Sequence, residues 1–141
     1  MEKPNIITKE EIKKILPHRD PMLLLDKAWD GGGSYYIKGD EYFLQGHFPE
    51  NPIVPAVILC EIMAQSVCLT FKEYTGKIAF LTGIDKVRVR NKVVPGDKFR
   101  TEVYIKKNFG PVFFIDAKGF VGEKLCISGL LSFAIADKYS Q

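Results

Sequence analysis

The chain is poor in the side chains that build most metal, redox and disulfide chemistry: its 141 residues hold three cysteines, two histidines and one tryptophan. Cys60, Cys68 and Cys126 are odd in number, lie in apolar surroundings and show no CxxC spacing. No disulfide framework follows, and buried thiols in a reducing compartment are expected. His18 and His47 stand too far apart for the short ligand spacings of a metal site, and the cysteines add no motif. Long apolar runs are missing too. The longest, residues 53–60, contains Pro55 and is far too short for a membrane span, and Met1-Glu2-Lys3-Pro4 opens no signal peptide. A cytoplasmic protein without membrane insertion is the expectation.

There is also no linker, internal repeat or low-complexity segment. With 46% hydrophobic residues, the length suits one compact domain over residues 1–141 and leaves little room for a second. Net charge is only +3, but unevenly placed. Residues 86–107 hold eight basic side chains, among them Arg88, Arg90, Lys92 and Arg100, against Asp97 and Glu102, a local balance of +6. Such a stripe favours an acidic partner, while residue by residue the ordinary reading is the solvated faces of two strands. No nucleic-acid-binding motif accompanies it.

Thr8 followed by Glu11 forms a capping-box pattern, with Ile12, Ile15 and Leu16 on one face before Pro17. Residues 22–28 and 34–40 read as strands joined by Gly31-Gly32-Gly33 in a tight hairpin. Three prolines and a glycine within residues 45–55 predict a rigid, irregular loop carrying His47. Residues 56–74 lack proline and glycine and are apolar around most of the circumference, which predicts a long buried helix ending at Gly76. Four β-rich segments follow, at 78–90, 98–107, 112–121 and 124–136, with consecutive antiparallel pairing as the economical topology. The expected class is α+β: a curved antiparallel sheet wrapped around a long central helix, the hotdog arrangement.

Two residues stand out against this background. Glu61 is alone inside Val57-Ile58-Leu59-Cys60-Glu61-Ile62-Met63-Ala64, with no base near it on the helix before Lys72. It must be paired from elsewhere, exposed, or held neutral by desolvation, which would raise its pKa and make it a proton donor. Gln65, one turn further on, could orient it. A helix-surface or interface glutamate without chemistry fits the same pattern. His47, in Gly46-His47-Phe48-Pro49, is a base candidate on a loop, or a hydrogen-bonded structural histidine. His18 reads as structural. Ala56 and Val57 open the helix, where free amides and the positive dipole end could receive a carbonyl oxygen that gains charge during α-proton removal.

Several motifs in order, Leu16-Pro17-His18-Arg19-Asp20-Pro21-Met22-Leu23-Leu24-Leu25-Asp26, Gly46-His47-Phe48-Pro49, Pro52-Ile53-Val54-Pro55, Glu61-Ile62-Met63-Ala64-Gln65 and Gly83-Ile84-Asp85-Lys86-Val87-Arg88, resemble the FabZ-type 3-hydroxyacyl-[acyl-carrier-protein] dehydratases. Glu at position 61 favours this branch over its dehydratase/isomerase relative, FabA. The resemblance implies a hotdog dimer, usually a trimer of dimers, with His47 of one subunit facing Glu61 of the other. It implies His47 as the base that removes the α-proton and Glu61 as the acid that protonates the departing hydroxyl. Ala56, Val57, Gln65, Phe48 and Phe80 would then contact substrate. No metal or redox cofactor is implied. The partner would be acyl carrier protein with its phosphopantetheine-linked chain, an acidic protein suited to Arg88, Arg90, Lys92 and Arg100. One departure is Ala56, where the family commonly has glycine. A hotdog acyl-thioesterase and a catalytically silent acyl-binding paralogue are the competing expectations.

Overall fold

The computed structural model describes residues 5–46, 50–71 and 77–137. Thr8 caps the first helix as its spacing predicts, its hydroxyl accepting the Glu11 amide while Glu11 reaches back to the Thr8 amide. The elements run β1 (Ile7–Thr8), α1 (Lys9–Ile12), β2 (Lys27–Trp29), β3 (Gly32–Tyr36), a 3-10 turn (Tyr42–Leu44), α2 (Ala56–Gln65), β4 (Lys77–Val89), β5 (Lys98–Phe109), β6 (Val112–Val121) and β7 (Lys124–Asp137). All strands join one antiparallel sheet in the order β1-β2-β3-β5-β6-β7-β4, and α2 packs against β3, β5, β6 and β7. Among the described residues no helix is long and apolar enough to cross a membrane.

The sheet order departs from the expected four-strand meander. β5, β6 and β7 do pair consecutively, but β4 pairs with β7, and β3 takes the place beside β5. Alternation along β5 and β6 explains this. Phe99, Thr101, Val103, Phe113, Ile115 and Ala117 turn inward and need flanking strands on both sides to cover the helix. β4 has apolar residues without that clean alternation: Val89 is exposed rather than covered. Its ladder slips at two places, between Leu81 and Gly83 and between Asp85 and Arg88, with Lys86 at φ 54 in the second. Bulges of this kind bend and twist a strand and are common at sheet edges.

Only Gly31 of the three predicted hairpin glycines turns the chain, at φ 95. Gly32 and Gly33 lie inside β3 because there is no room for a side chain. A Cβ at Gly32 would collide with the Thr101 carbonyl, and one at Gly33 would come within 2.8 Å of Leu25.

The central helix is shorter than the predicted 56–74. Regular α-structure ends at Gln65, and residues 66–71 continue as turns. The physical cause is Ser66, whose hydroxyl donates back to the Ile62 carbonyl at 2.7 Å while the Val67 and Cys68 amides take three-residue bonds to Ala64 and Gln65. Lys72, Tyr74 and Gly76, to which the prediction extended, lie outside the described residues. The Ser66 oxygen also accepts from Thr101 at 2.7 Å, and Thr101 in turn accepts the Gly33 amide at 2.9 Å. One buried hydroxyl pair thus joins β3, β5 and the end of α2.

Thr101→Val keeps the shape of that contact but strands the Gly33 amide in the core. The expected loss is about 1–3 kcal/mol of stability, read as a lowered urea midpoint, with Thr101→Ser close to the parent protein.

Candidate functional site

The 16–25 segment becomes the wall of a cavity because a single helix side chain satisfies its backbone. Gln65 is buried, and its amide nitrogen donates to the Met22 carbonyl at 2.7 Å and to Glu61 Oε2 at 2.9 Å. Its oxygen accepts the Leu24 amide at 2.8 Å. Leu23, Leu24 and Leu25 are then driven into the core, each at most 2% exposed. Upstream, Arg19 folds the segment on itself, its guanidinium donating to the carbonyls of Lys13, Leu16 and His18 at 3.1, 2.9 and 2.7 Å. Lys9 pairs with Asp20 at 2.9 Å.

This arm carries His18 to the helix, where its Nε2 lies 3.5 Å from Glu61 Oε2. Sequence reading missed this pair, because the two residues are far apart along the chain and nothing in either motif names the other. The only local signal was the basic character of the His18-Arg19 dipeptide. Of the alternatives for Glu61, pairing from elsewhere is the one realised. Burial pushes its carboxyl up, but the hydrogen bonds from His18 and Gln65, with the charge of His18, outweigh burial and hold it below the usual carboxylate range. In the isolated chain Glu61 is therefore not the neutral donor that desolvation alone would make it.

Glu61, Gln65 and His18 sit on the wall of a cavity of about 520 Å³ whose remaining lining is mostly apolar, including Leu16, Phe71, Phe80 and Phe133. An apolar pocket of this size with a few convergent polar groups suits an extended aliphatic ligand. Phe80 is half exposed at its edge. Cys68 also lines it, with burial pushing its thiol up to about 11, and burial raises Cys60 as well. Both thiols are buried and free, which leaves a cysteine nucleophile unsupported.

Ala56 and Val57 are not part of this cavity. They open α2 beside a second pocket of about 410 Å³, which Arg90, Lys92 and Val89 also line. No side chain caps the helix; its first bonds run from the Ile58 and Leu59 amides to the Pro55 carbonyl, so the Ala56 and Val57 amides have no partner among the described residues. Val57 is 73% exposed. His47 and Phe48 lie outside the described residues. The approach to their loop is pinned by Glu41, which accepts the Lys38 and Gly39 amides and the Tyr35 hydroxyl at 3.0, 2.7 and 2.8 Å. No group of three or more potential metal ligands occurs among the described residues.

The basic residues do not form one stripe. Arg88, Arg90 and Lys92 lie on or just past β4, whereas Arg100 is on β5, three strands away, where it pairs with Glu102 at 2.6 Å and stacks over Phe120. Closeness in sequence is lost because β7 and β6 intervene.

Gln65→Met, similar in volume, leaves the Leu24 amide buried and unpaired and should cost about 1–3 kcal/mol, read by denaturant unfolding. A second expectation concerns acid. A carboxyl held low in the folded chain contributes stability above its unfolded value, about 4.3, and that contribution is lost as pH falls through the lower folded value. Glu61→Gln should remove that contribution near neutrality and so flatten the stability profile across the acid window, as thermal melts across pH would report.

A sequence-family profile described as a FabA-like domain matches residues 16–129. The 3-hydroxyacyl-[acyl-carrier-protein] dehydratase FabZ of Staphylococcus aureus (strain JH9) is 44% identical over 136 residues, spanning 90% of this chain and 93% of the relative. The FabZ of Alkaliphilus metalliredigens (strain QYMF) is 41% identical over 136 residues, spanning 90% and 92%. Among solved structures, the dehydratase heterocomplex ApeI:P from Xenorhabdus doucetiae matches with a TM-score of 0.73 over 98% of this chain and 94% of the other, at 18% identity. That likeness bears on the fold, which is the expected α+β hotdog with a shorter helix. The profile match across most of the length, together with identities above 40% over nine-tenths of the chain, places this protein in the FabZ-type 3-hydroxyacyl-[acyl-carrier-protein] dehydratases, a family of hydro-lyases of fatty acid biosynthesis.

Proposed function

We propose that the chain converts a 3-hydroxyacyl thioester on acyl carrier protein to the trans-2-enoyl thioester, with His47 as base and Glu61 as acid meeting across a dimer interface. The observation that carries this reading is Glu61 itself: a carboxylate gripped by Gln65 on the wall of an acyl-sized apolar cavity. His47 would take the α-proton, the thioester oxygen would gain charge, and Glu61 would deliver a proton to the departing hydroxyl, releasing water. A carboxyl that starts low must be raised before it can donate. Filling the cavity with an acyl chain and covering its mouth with a second subunit both add desolvation, which acts in that direction.

Two features support a shared site. β4 is a 13-residue edge strand paired only with β7 among the described strands, and it leaves Phe80, Leu81, Ile84 and Val89 exposed. A long apolar edge of this kind is suited to cover by another chain. In addition, His47 lies nine positions before Ala56, at the start of α2, whereas Glu61 faces the other cavity. A two-fold partner can bring the helix start of one chain to the Glu61 of the other. A trimer of dimers belongs to the same reading. The Ala56 amide would receive the thioester oxygen, Val57, Phe48 and Phe80 would line the acyl path, and the methyl of Ala56 would narrow the approach relative to glycine. Carrier docking is best supported at Arg90 and Lys92, beside the helix start, with Arg88 near them. Arg100 is already engaged with Glu102.

Incubation with a crotonyl-carrier thioester should show reversible hydration, reduced about 10²–10⁴-fold in His47→Ala and in Glu61→Gln. Co-expressing the two inactive chains tests the shared site: random pairing leaves about a quarter of the sites intact in a two-fold dimer, so activity should return to about that level. Complementation failing in verified mixed dimers would refute the cross-interface arrangement. Free thiol release without hydration would indicate a thioesterase, and carrier binding without turnover a silent paralogue.

A further inference from the structure

We propose that His18 is a positioning residue of this site, the side chain through which the 16–21 arm holds Glu61 and governs when its carboxyl carries a proton. The proposal rests on the reading of Glu61 as the acid of the dehydration.

The geometry points to this role in three ways. The Nε2 of His18 is 3.5 Å from Glu61 Oε2, at the outer limit of a hydrogen bond, and both side chains are about two-thirds or more covered. The other ring nitrogen, Nδ1, is buried without a hydrogen-bond partner among the described residues, so Glu61 supplies the polar contact that gives the ring its orientation. The backbone behind the ring is held independently, by the Arg19 bonds to Lys13, Leu16 and His18 and by the Met22 and Leu23 amides, which donate to the Arg19 carbonyl at 2.8 and 3.0 Å. A ring fixed from behind and facing a carboxylate can hold that carboxylate still.

Other charged or titratable groups around the cavity do not replace it. From the turn after α1 comes Lys14, and from β4 comes Lys77, whose ammonium pairs with Asp137 of β7 at 2.9 Å. Past the end of α2 comes Cys68, a buried thiol with a raised pKa. Among the described residues, Glu61 feels burial first, then His18 and Gln65, and of these only His18 brings charge. Burial pushes the carboxyl up while His18 and Gln65 pull it down. His18 therefore lowers the Glu61 carboxyl in the empty site, and the added burial when an acyl chain enters pushes it the other way, toward proton uptake. The proton needed by the departing hydroxyl is loaded together with the substrate.

The test follows the Glu61 carboxyl by ¹³C NMR in the full chain, its signal assigned by loss in Glu61→Gln. His18→Phe should raise the titration midpoint by about half a unit or more with the melting temperature retained. His18→Gln, which keeps a hydrogen-bond donor but no charge, should raise it less and stands in if the phenylalanine variant does not fold. In crotonyl-thioester hydration Glu61 acts in reverse, as the base, so the acid limb of kcat/KM should move to higher pH in the same variants. An unmoved Glu61 midpoint in a folded His18 variant would overturn the proposal. A shifted midpoint in a protein that hydrates no thioester would uphold the His18 coupling and overturn the dehydratase reading instead.

Discussion

The side-chain amide of Gln65 is the constraint on which the rest of the site depends. A buried amide left unpaired costs about 1–3 kcal/mol per orphaned group, and Gln65 removes that cost for the Leu24 amide and the Met22 carbonyl at once. Its second N–H is left to hold Glu61. The 22–25 segment can then bury three leucines beside α2 without β-pairing of its own, and residues up to His18 are delivered to the cavity wall. His18 meets Glu61 only because this strap is in place.

Glu61 is subject to opposed effects. Burial favours its neutral form, while His18 and Gln65 favour the anion and win in the chain by itself. Closing the cavity mouth or filling its apolar interior changes desolvation without touching the hydrogen bonds, and so shifts the balance in one direction.

Sheet order decides what is exposed. Placing β4 outside β7 leaves a long apolar edge uncovered, moves Arg90 and Lys92 to the start of α2, and separates them from Arg100 by two strands. The same order places β3 over β5, where Gly32 and Gly33 allow the backbones to close and Thr101 ties the sheet to the helix end.

Local physics was legible in the chain. The Thr8 capping box, the buried face of α2 and the isolation of Glu61 follow from spacing, because each depends on residues within a few turns of one another. The motifs from Leu16 to Arg88 carried the family in the same way. Three things were not legible. The helix end at Gln65 depends on Ser66 meeting Thr101, 35 positions away. The split of the basic residues depends on which strand lies beside β7. The partner of Glu61 depends on a strap held by Gln65 bringing His18 from 43 positions upstream. Hydrogen-bond partners and dielectric surroundings are properties of neighbours in space. The sequence alone therefore determined the family and which residues stand out as candidates, and the tertiary structure decided the neighbours of Glu61 and the direction in which they move its carboxyl.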